Sequence, residues 1–265
     1  MNADSLAKFY ETDYRLIYAG NRKATESFFS EQVARGEDIL KYVEDCLDMP
    51  RNRVIFDIGC GAGGVLLPFQ DKGFETYGCD LGGEYLERGK AAGLRLDQGD
   101  WSILSRHGKA HLVILNHVLE HLPYPLDMLR RLLELIEEDG YIYIEVPGIL
   151  YSYKTYGDFL LFLQNAHLYH FTLGTLTDAM KKCGYSLVKG DERIRALYKK
   201  NTLTSYEHPE SQYLPILLYL ITNELFRILG IPRHGLGLRS MVSKVARQLL
   251  GDRVVVQLKT LLRNQ

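Results

Sequence analysis

The chain has 265 residues, enough for one large or two small domains, and carries 46% hydrophobic and 25% charged residues with a formal net charge of −1. This is the composition of a globular chain, and so even a charge balance provides no global field to draw in nucleic acid. Four scattered cysteines with no C-x-x-C pair argue against a disulfide frame or a thiolate zinc site; the N-terminus lacks the blocks of a signal peptide, so a cytoplasmic location is expected.

Residues 1–50 are expected to be helical. Phe9, Tyr10, Tyr14, Ile17 and Tyr18 share one helix face and Val33, Ile39, Leu40 and Val43 another, with Gly20 and Gly36 as breaks. Val54-Ile-Phe-Asp-Ile58 is a short apolar run of the kind a buried parallel strand shows. Gly59-Cys60-Gly61-Ala-Gly-Gly64 follows, and Val65-Leu-Leu then starts a helical pattern. Strand, glycine turn and helix in that order bring backbone N–H groups and a helix N-terminus close to a ligand. Gly59-x-Gly61-x-x-Gly64 also meets the dinucleotide fingerprint, which leaves a nicotinamide-dependent oxidoreductase open. Asp57 narrows the choice. A carboxylate just before the turn repels a pyrophosphate and attracts a ligand bearing an ammonium and a sulfonium charge, which describes S-adenosylmethionine (SAM).

Phe74 to Asp80 reads as the second strand. Asp80 falls about 20 residues beyond the glycine turn, where a nucleotide-binding sheet places its ribose carboxylate, with Leu81 next to it. Asp80 would equally suit a helix N-cap. Gly93 to Trp101 reads as a third strand entering a loop, in which Asp100 could accept from an adenine amine and Trp101 pack on the ring; a core role for Trp101 is the alternative. Ala110 to His117 is the fourth strand, with Asn116 and His117 at its carboxyl end beside the crevice where open α/β sheets bind ligands. His121 follows one helical turn later, and a helix is expected from Pro125 to Ile136. Asp139-Gly140 reads as a turn, and Tyr141 to Gly148 as the fifth strand, with Glu145 near its carboxyl end.

Residues 149–170 are rich in aromatics and show no period before Phe159. His167-x-x-His170 lacks the glutamate of His-Glu-x-x-His and sits in a loop, so no metal is expected. A helix capped by Thr172 or Thr175 should run to Lys182 and stop at Gly184, ahead of a hairpin that supplies the last two strands. Asn201 to Gln212 is linker-like, and Tyr213 to Ile231 is an amphipathic helix too interrupted by polar residues to span a membrane. Ser240 to Leu262 is basic and amphipathic, suited to an anionic membrane surface or to packing on the enzyme's own core or a second subunit.

Several of these strings carry a resemblance. Val54 to Gly64 resembles motif I of the class I SAM-dependent methyltransferases, and Asp100-Trp101 the adenine motif of that family. Asn116-x-Val-Leu-Glu-His-Leu122 is similar to the segment after their fourth strand, and Glu145-Val-Pro147 to the end of their fifth. His167-x-x-x-Phe171-Thr172, with Gly184-Tyr185 further on, resembles the subfamily that includes quinone, sugar and small-molecule methyltransferases. The resemblance spans about residues 50 to 200. It implies an α/β fold with a doubly wound, mostly parallel seven-stranded sheet whose last strand is antiparallel. Residues 1–50 would be an N-terminal helical cap, 51–200 the SAM-binding domain and 201–265 a C-terminal helical extension.

The cofactor residues implied are Asp57, Gly59, Cys60, Gly61, Asp80, Leu81, Asp100, Trp101, Asn116 and His117. Tyr10, Tyr14 and Arg15 could reach the methionine end or the substrate, and the aromatic segment would build the acceptor pocket. Methyl transfer to a hydroxyl of a sugar, a lipid-linked glycan or a small metabolite needs a base. His167 or His170 is favoured, with His121 and Glu145 as further candidates. The oxidoreductase alternative leaves Asp57, Asp100-Trp101 and Leu119-Glu-His-Leu122 unexplained; a non-catalytic SAM-binding scaffold stays open. No nucleic-acid partner is expected, since no Asn/Asp-Pro-Pro-Tyr string follows the fourth strand.

Overall fold

The computed structural model describes residues 20, 23–155, 159–163, 166–201 and 211–228. The expectations for Phe9 to Tyr18, including Tyr10, Tyr14 and Arg15, and for the basic stretch from Ser240 onward lie outside the described residues.

Seven strands form one sheet: β1 (Val54–Ile58), β2 (Glu75–Asp80), β3 (Leu96–Gln98), β4 (Ala110–Asn116), β5 (Ile136–Glu145), β6 (Tyr185–Gly190) and β7 (Arg195–Lys200). Their order is β3-β2-β1-β4-β5-β7-β6. The first five run parallel, and β7 is antiparallel to both β5 and β6. The chain moves outward from β1 to β3 and then returns to β4 on the other side of β1. That reversal opens a crevice above the carboxyl ends of β1 and β4.

The central strands are mostly apolar because both faces are covered. Leu112 and Ile114 of β4 join Ile55, Tyr143 and Leu197 on one face, against helix α1 (Glu26–Glu44) and the short helix α2 (Leu67–Asp71). Val113 and Leu115 join Phe56, Ile58 and Ile144 on the other. There they pack against α4 (Pro125–Leu132) and α7 (Leu173–Lys182). Helix α3 (Gly83–Ala91) follows β2 and continues the first layer through Leu86.

Several boundaries move for local reasons. Helix α4 stops at Leu132 rather than Ile136, because β5 already begins at Ile136 by pairing with Ala110. The register then jumps to Leu112 opposite Tyr141, so Asp139-Gly140 lies in an irregularity within β5 and not in a turn before it. Strand β3 is confined to Leu96–Gln98. Helix α7 matches expectation closely. Thr172 caps it, Thr175 completes a reciprocal capping box, and Gly184 follows with φ 87°.

The aromatic segment after β5 folds into a 3-10 turn, Ile149–Tyr151, then α5 (Ser152–Thr155) and α6 (Phe159–Phe162). Helix α8 (Tyr213–Ile228) docks on it: the Tyr219 hydroxyl donates to the Leu150 carbonyl at 2.8 Å, and that of Tyr153 to the Leu220 carbonyl at 3.2 Å. Part of the aromatic content is therefore packing. No helix among the described residues is long and apolar enough to cross a membrane.

Gly36 does not break a helix. It lies inside α1, which crosses the glycine turn so closely that a Cβ at this position would stand 2.4 Å from the Val65 carbonyl oxygen. A helical glycine is unfavourable by about 1 kcal/mol relative to alanine, and the close approach explains its use here. Because the opposing atom is backbone, Gly36→Ala is expected to destabilise the fold by about 1–3 kcal/mol, read as a lower denaturation midpoint. An unchanged midpoint would show that α1 does not seat against the turn.

Candidate active site

The turn after β1 is held open by left-handed glycines, with φ of 71° at Gly59, 59° at Gly61 and 80° at Gly63. A Cβ on Gly59 would lie 2.6 Å from Val118 Cγ2, so the turn needs both the glycine backbone and the glycine volume. The N–H groups of Gly59 and Cys60 donate to the Cys79 carbonyl at 2.8 and 3.0 Å. That of Gly61 donates to Asp80 Oδ2 at 2.8 Å, while Gly82 N–H donates to Asp80 Oδ1, also at 2.8 Å. Asp80 thus links the glycine turn to the start of α3, and its carboxylate is oriented at the tip of β2. Its expected capping role survives as this bond to Gly82, the residue that opens α3.

A residue the sequence reading missed completes the turn. Gln32 of α1 accepts from Ala62 and Gly64 N–H through Oε1, both at 3.2 Å, and donates to the Cys60 carbonyl through Nε2 at 3.1 Å. Its signal was an amide between Phe29 and Val33 on the apolar stripe of a helix, where a polar residue needs partners.

Beneath α1 lies a cavity of about 330 Å³. Asp57, Gly59, Cys60, Asp80, Leu81, Asn116 and His117 line it. Gly61 stands behind the wall, bound to Asp80. Asp100 and Trp101 are not among the lining residues. Asp100 caps the 3-10 turn Trp101–His107 by accepting from Ser102 N–H at 2.9 Å, and Trp101 packs partly buried against the core. Phe28, Glu31 and Arg35 of α1 close the other side, which the sequence reading had placed in a general cap only.

Two features of this cavity ask for a cation. Asp57 is buried, and its Oδ2 has no hydrogen-bond partner. Burial, and then the nearby Asp80 carboxylate, push its pKa well above the usual range. A ligand that brings a positive charge and N–H donors satisfies both, which is how the ammonium end of SAM fits; Asp80 and Leu81 line the same cavity.

The far end of the cavity is an imidazole cluster. His117 has φ 55°, a conformation unusual for a side-chain-bearing residue and found at functional sites. Arg35 donates to its Nε2 at 3.1 Å, so Nδ1 carries the proton and donates to Glu120 Oε1 at 3.3 Å. His121 is on the cavity wall and donates through Nδ1 to the Ala166 carbonyl at 2.9 Å. His167 stacks edge-on behind it, ring centroids 4.9 Å apart, and His170 lies 6.0 Å beyond His167, against Phe162. Neither His167 nor His170 is among the residues that line the cavity. Burial pushes His167 down to about 4, partly opposed by Glu120, and lowers His170 as well, so both are neutral near pH 7. Glu145 is engaged elsewhere. Its carboxylate accepts from the Tyr143 hydroxyl at 2.8 Å and from Arg35 at 3.4 Å, and it lines a second cavity of about 300 Å³ beside the first.

Residues 30–189 match the family model described as the methyltransferase domain. The chain belongs to that family. The sheet order with β7 set antiparallel between β5 and β6 makes this methyltransferase one of the class I, SAM-dependent kind. The same order removes the oxidoreductase alternative, since a dinucleotide-binding sheet runs 3-2-1-4-5-6.

Among solved structures, the methyltransferase is similar to the magnesium protoporphyrin IX methyltransferase of Synechocystis PCC 6803 with bound S-adenosylhomocysteine (SAH). Identity is 17%, coverage 76% of this chain and 100% of that one, and the TM-score 0.51. It is also similar to the 1,6-didemethyltoxoflavin-N1-methyltransferase of Burkholderia thailandensis, at 18% identity, 76% and 91% coverage and TM-score 0.55. At such identities the likeness concerns the fold. No curated protein matches the chain.

Asp57 yields a signed expectation. A carboxyl whose folded pKa lies above its unfolded value loses the fold stability as pH rises from the unfolded pKa through the raised one. At neutral pH Asp57→Asn is therefore expected to stabilise the ligand-free protein by about 1–2 kcal/mol. SAH affinity should fall at least about tenfold, as expected for loss of a charge-assisted bond. Thermal melts with and without SAH read both effects. A variant that melts lower alone, or binds SAH as tightly as the wild type, would contradict this role.

Proposed function

We propose that this methyltransferase methylates a hydroxyl oxygen of a sugar or other small hydroxylated metabolite, with His167 or His170 accepting the proton. The observation that carries the reading is the pair of half-buried, neutral imidazoles, each with a buried and unpartnered Nδ1, set behind the wall of the donor cavity. The two structural relatives, named for a magnesium protoporphyrin and a toxoflavin precursor, support an acceptor of small size.

When bound, SAM supplies an already activated methyl group. The chain's residues then have three tasks. The glycine turn, Asp57 and Asp80 hold the donor. The aromatic segment and the mouth of the cavity place the acceptor oxygen in line with the S–CH₃ bond. As the O–C bond forms and the S–C bond breaks, the hydroxyl proton passes to an imidazole nitrogen, which must be unprotonated beforehand; desolvation keeps His167 and His170 in that state. Arg35, bonded to both His117 and Glu145, ties α1 across the cavity mouth.

Incubation with ¹³C-methyl SAM and a panel of hydroxylated small molecules tests the acceptor atom, since O-methyl and N-methyl carbons resonate apart. An O-methyl product is expected, and exclusive N- or C-methylation would overturn the proposal. The double variant His167→Ala/His170→Ala should lower turnover by about 10²-fold or more while SAH affinity holds. Undiminished turnover would remove both as proton acceptors.

A further inference from the structure

We propose that Glu120, His121 and His167 form a site for one divalent transition-metal ion beside the methyl-donor cavity. Their candidate ligand atoms all lie within 4.8 Å of one another. Glu120 Oε1 is 3.8 Å from His121 Nε2 and 4.0 Å from His167 Nε2. Ligand atoms on one ion with bonds near 2.1 Å stand roughly 3–3.5 Å apart, so closure asks these two separations to shorten by about 0.3–1 Å.

Four observations point to an ion. Glu120 is 1% exposed, and its Oε2 is buried without a hydrogen-bond partner. Among the described residues no lysine or arginine pairs with it; its ionic neighbours are His117, His121 and His167. A buried carboxylate surrounded by imidazoles is unfavourable unless positive charge arrives. The Nδ1–H of His121 is committed to the Ala166 carbonyl, which makes Nε2, 3.8 Å from Glu120 Oε1, the lone-pair nitrogen, the tautomer and outer-shell bond that metal-bound histidines show. Finally, the loop that carries His167 is pinned to Glu120 itself, whose backbone carbonyl accepts from Leu168 and Tyr169 N–H at 2.8 and 3.2 Å.

A second cluster shows the contrast. His111, Glu137 and Asp139 also converge, yet Arg53 already bridges Glu137 and Asp139 at 2.5 and 3.4 Å. There the cation is a side chain.

Two imidazoles and one carboxylate suit zinc, iron(II), cobalt(II) or nickel(II) better than magnesium or calcium. Three protein ligands leave positions open, and His121 is on the cavity wall, so these positions are within reach of an acceptor's oxygens. The expectation of no metal considered His167-x-x-His170 alone; the carboxylate comes from the segment after β4. The site's purpose rests on the methyl-transfer reading. With an ion bound, His167 becomes a ligand and His170 remains as the proton acceptor.

The test is titration of the chelator-stripped full chain with Co²⁺, followed by visible absorption and equilibrium dialysis, with Zn²⁺ as competitor. Expected are one ion per chain, d–d bands that Zn²⁺ abolishes, and affinity at least about tenfold weaker in Glu120→Gln and His167→Ala. His111→Ala and His170→Ala should bind as the wild type does. Should Glu120→Gln fail to fold, His121→Gln reads the same ligand set. Absent or non-saturating binding, equal affinity in the ligand variants, or loss of binding in His111→Ala would overturn the site. SAH thermal shifts on the same samples separate the two readings: stabilisation by SAH without Co²⁺ binding removes the metal site alone, and Co²⁺ binding without stabilisation by SAH removes the donor site alone.

Discussion

Two acidic side chains set close together under a bend of glycines govern this molecule. Asp57 and Asp80 end adjacent parallel strands, so the sheet itself forces their charges into proximity. Asp80 is satisfied by two backbone N–H groups, whereas Asp57 retains a bare oxygen in the interior. A fold selected for stability alone has no reason to bury such a group. Its presence is intelligible as half of an interaction whose other half is a cationic ligand, and the neighbouring architecture serves that purpose: the left-handed glycines, the Gln32 clamp, and the close passage of α1 at Gly36.

The parts of the fold legible in the sequence were those dictated by local chemistry. The apolar run of β1, the glycines after it, and the Thr172–Gly184 bounds of α7 each follow from backbone or capping rules that act within a few residues. What was not legible depended on tertiary partners. Gly36 reads as a break until Val65 is seen beneath it. Asp139-Gly140 reads as a turn because nothing in the sequence reveals that Ile136 pairs with Ala110. Asp100 caps the turn that follows it and Trp101 packs partly buried on the core, placements that sequence chemistry leaves open beside an adenine contact.

The site was legible in a similarly uneven way. Asp57, Asp80, Asn116 and His117 could be placed because strand ends in an open α/β sheet all point to one crevice. Gln32, Arg35 and Glu120 could not, since each has partners far away in sequence: the glycine turn for Gln32, His117 and Glu145 for Arg35, and His167 for Glu120. Glu120 is the most instructive. Within Leu119-Glu-His-Leu122 the histidine draws attention, whereas in three dimensions the glutamate is the hub on which His117, His121 and His167 converge. The strained backbone of His117 and the pinned loop at residues 168–169 both serve to bring side chains to it.

The central claim, that Asp57 takes up positive charge from the methyl donor, can be observed at the carboxyl group itself. Infrared difference spectra on SAM binding at mildly acidic pH should show the band of a protonated carboxyl disappear and a carboxylate band grow, and Asp57→Asn should lack both changes. SAM binding that leaves these bands unaltered, or alters them equally in the variant, would contradict the account.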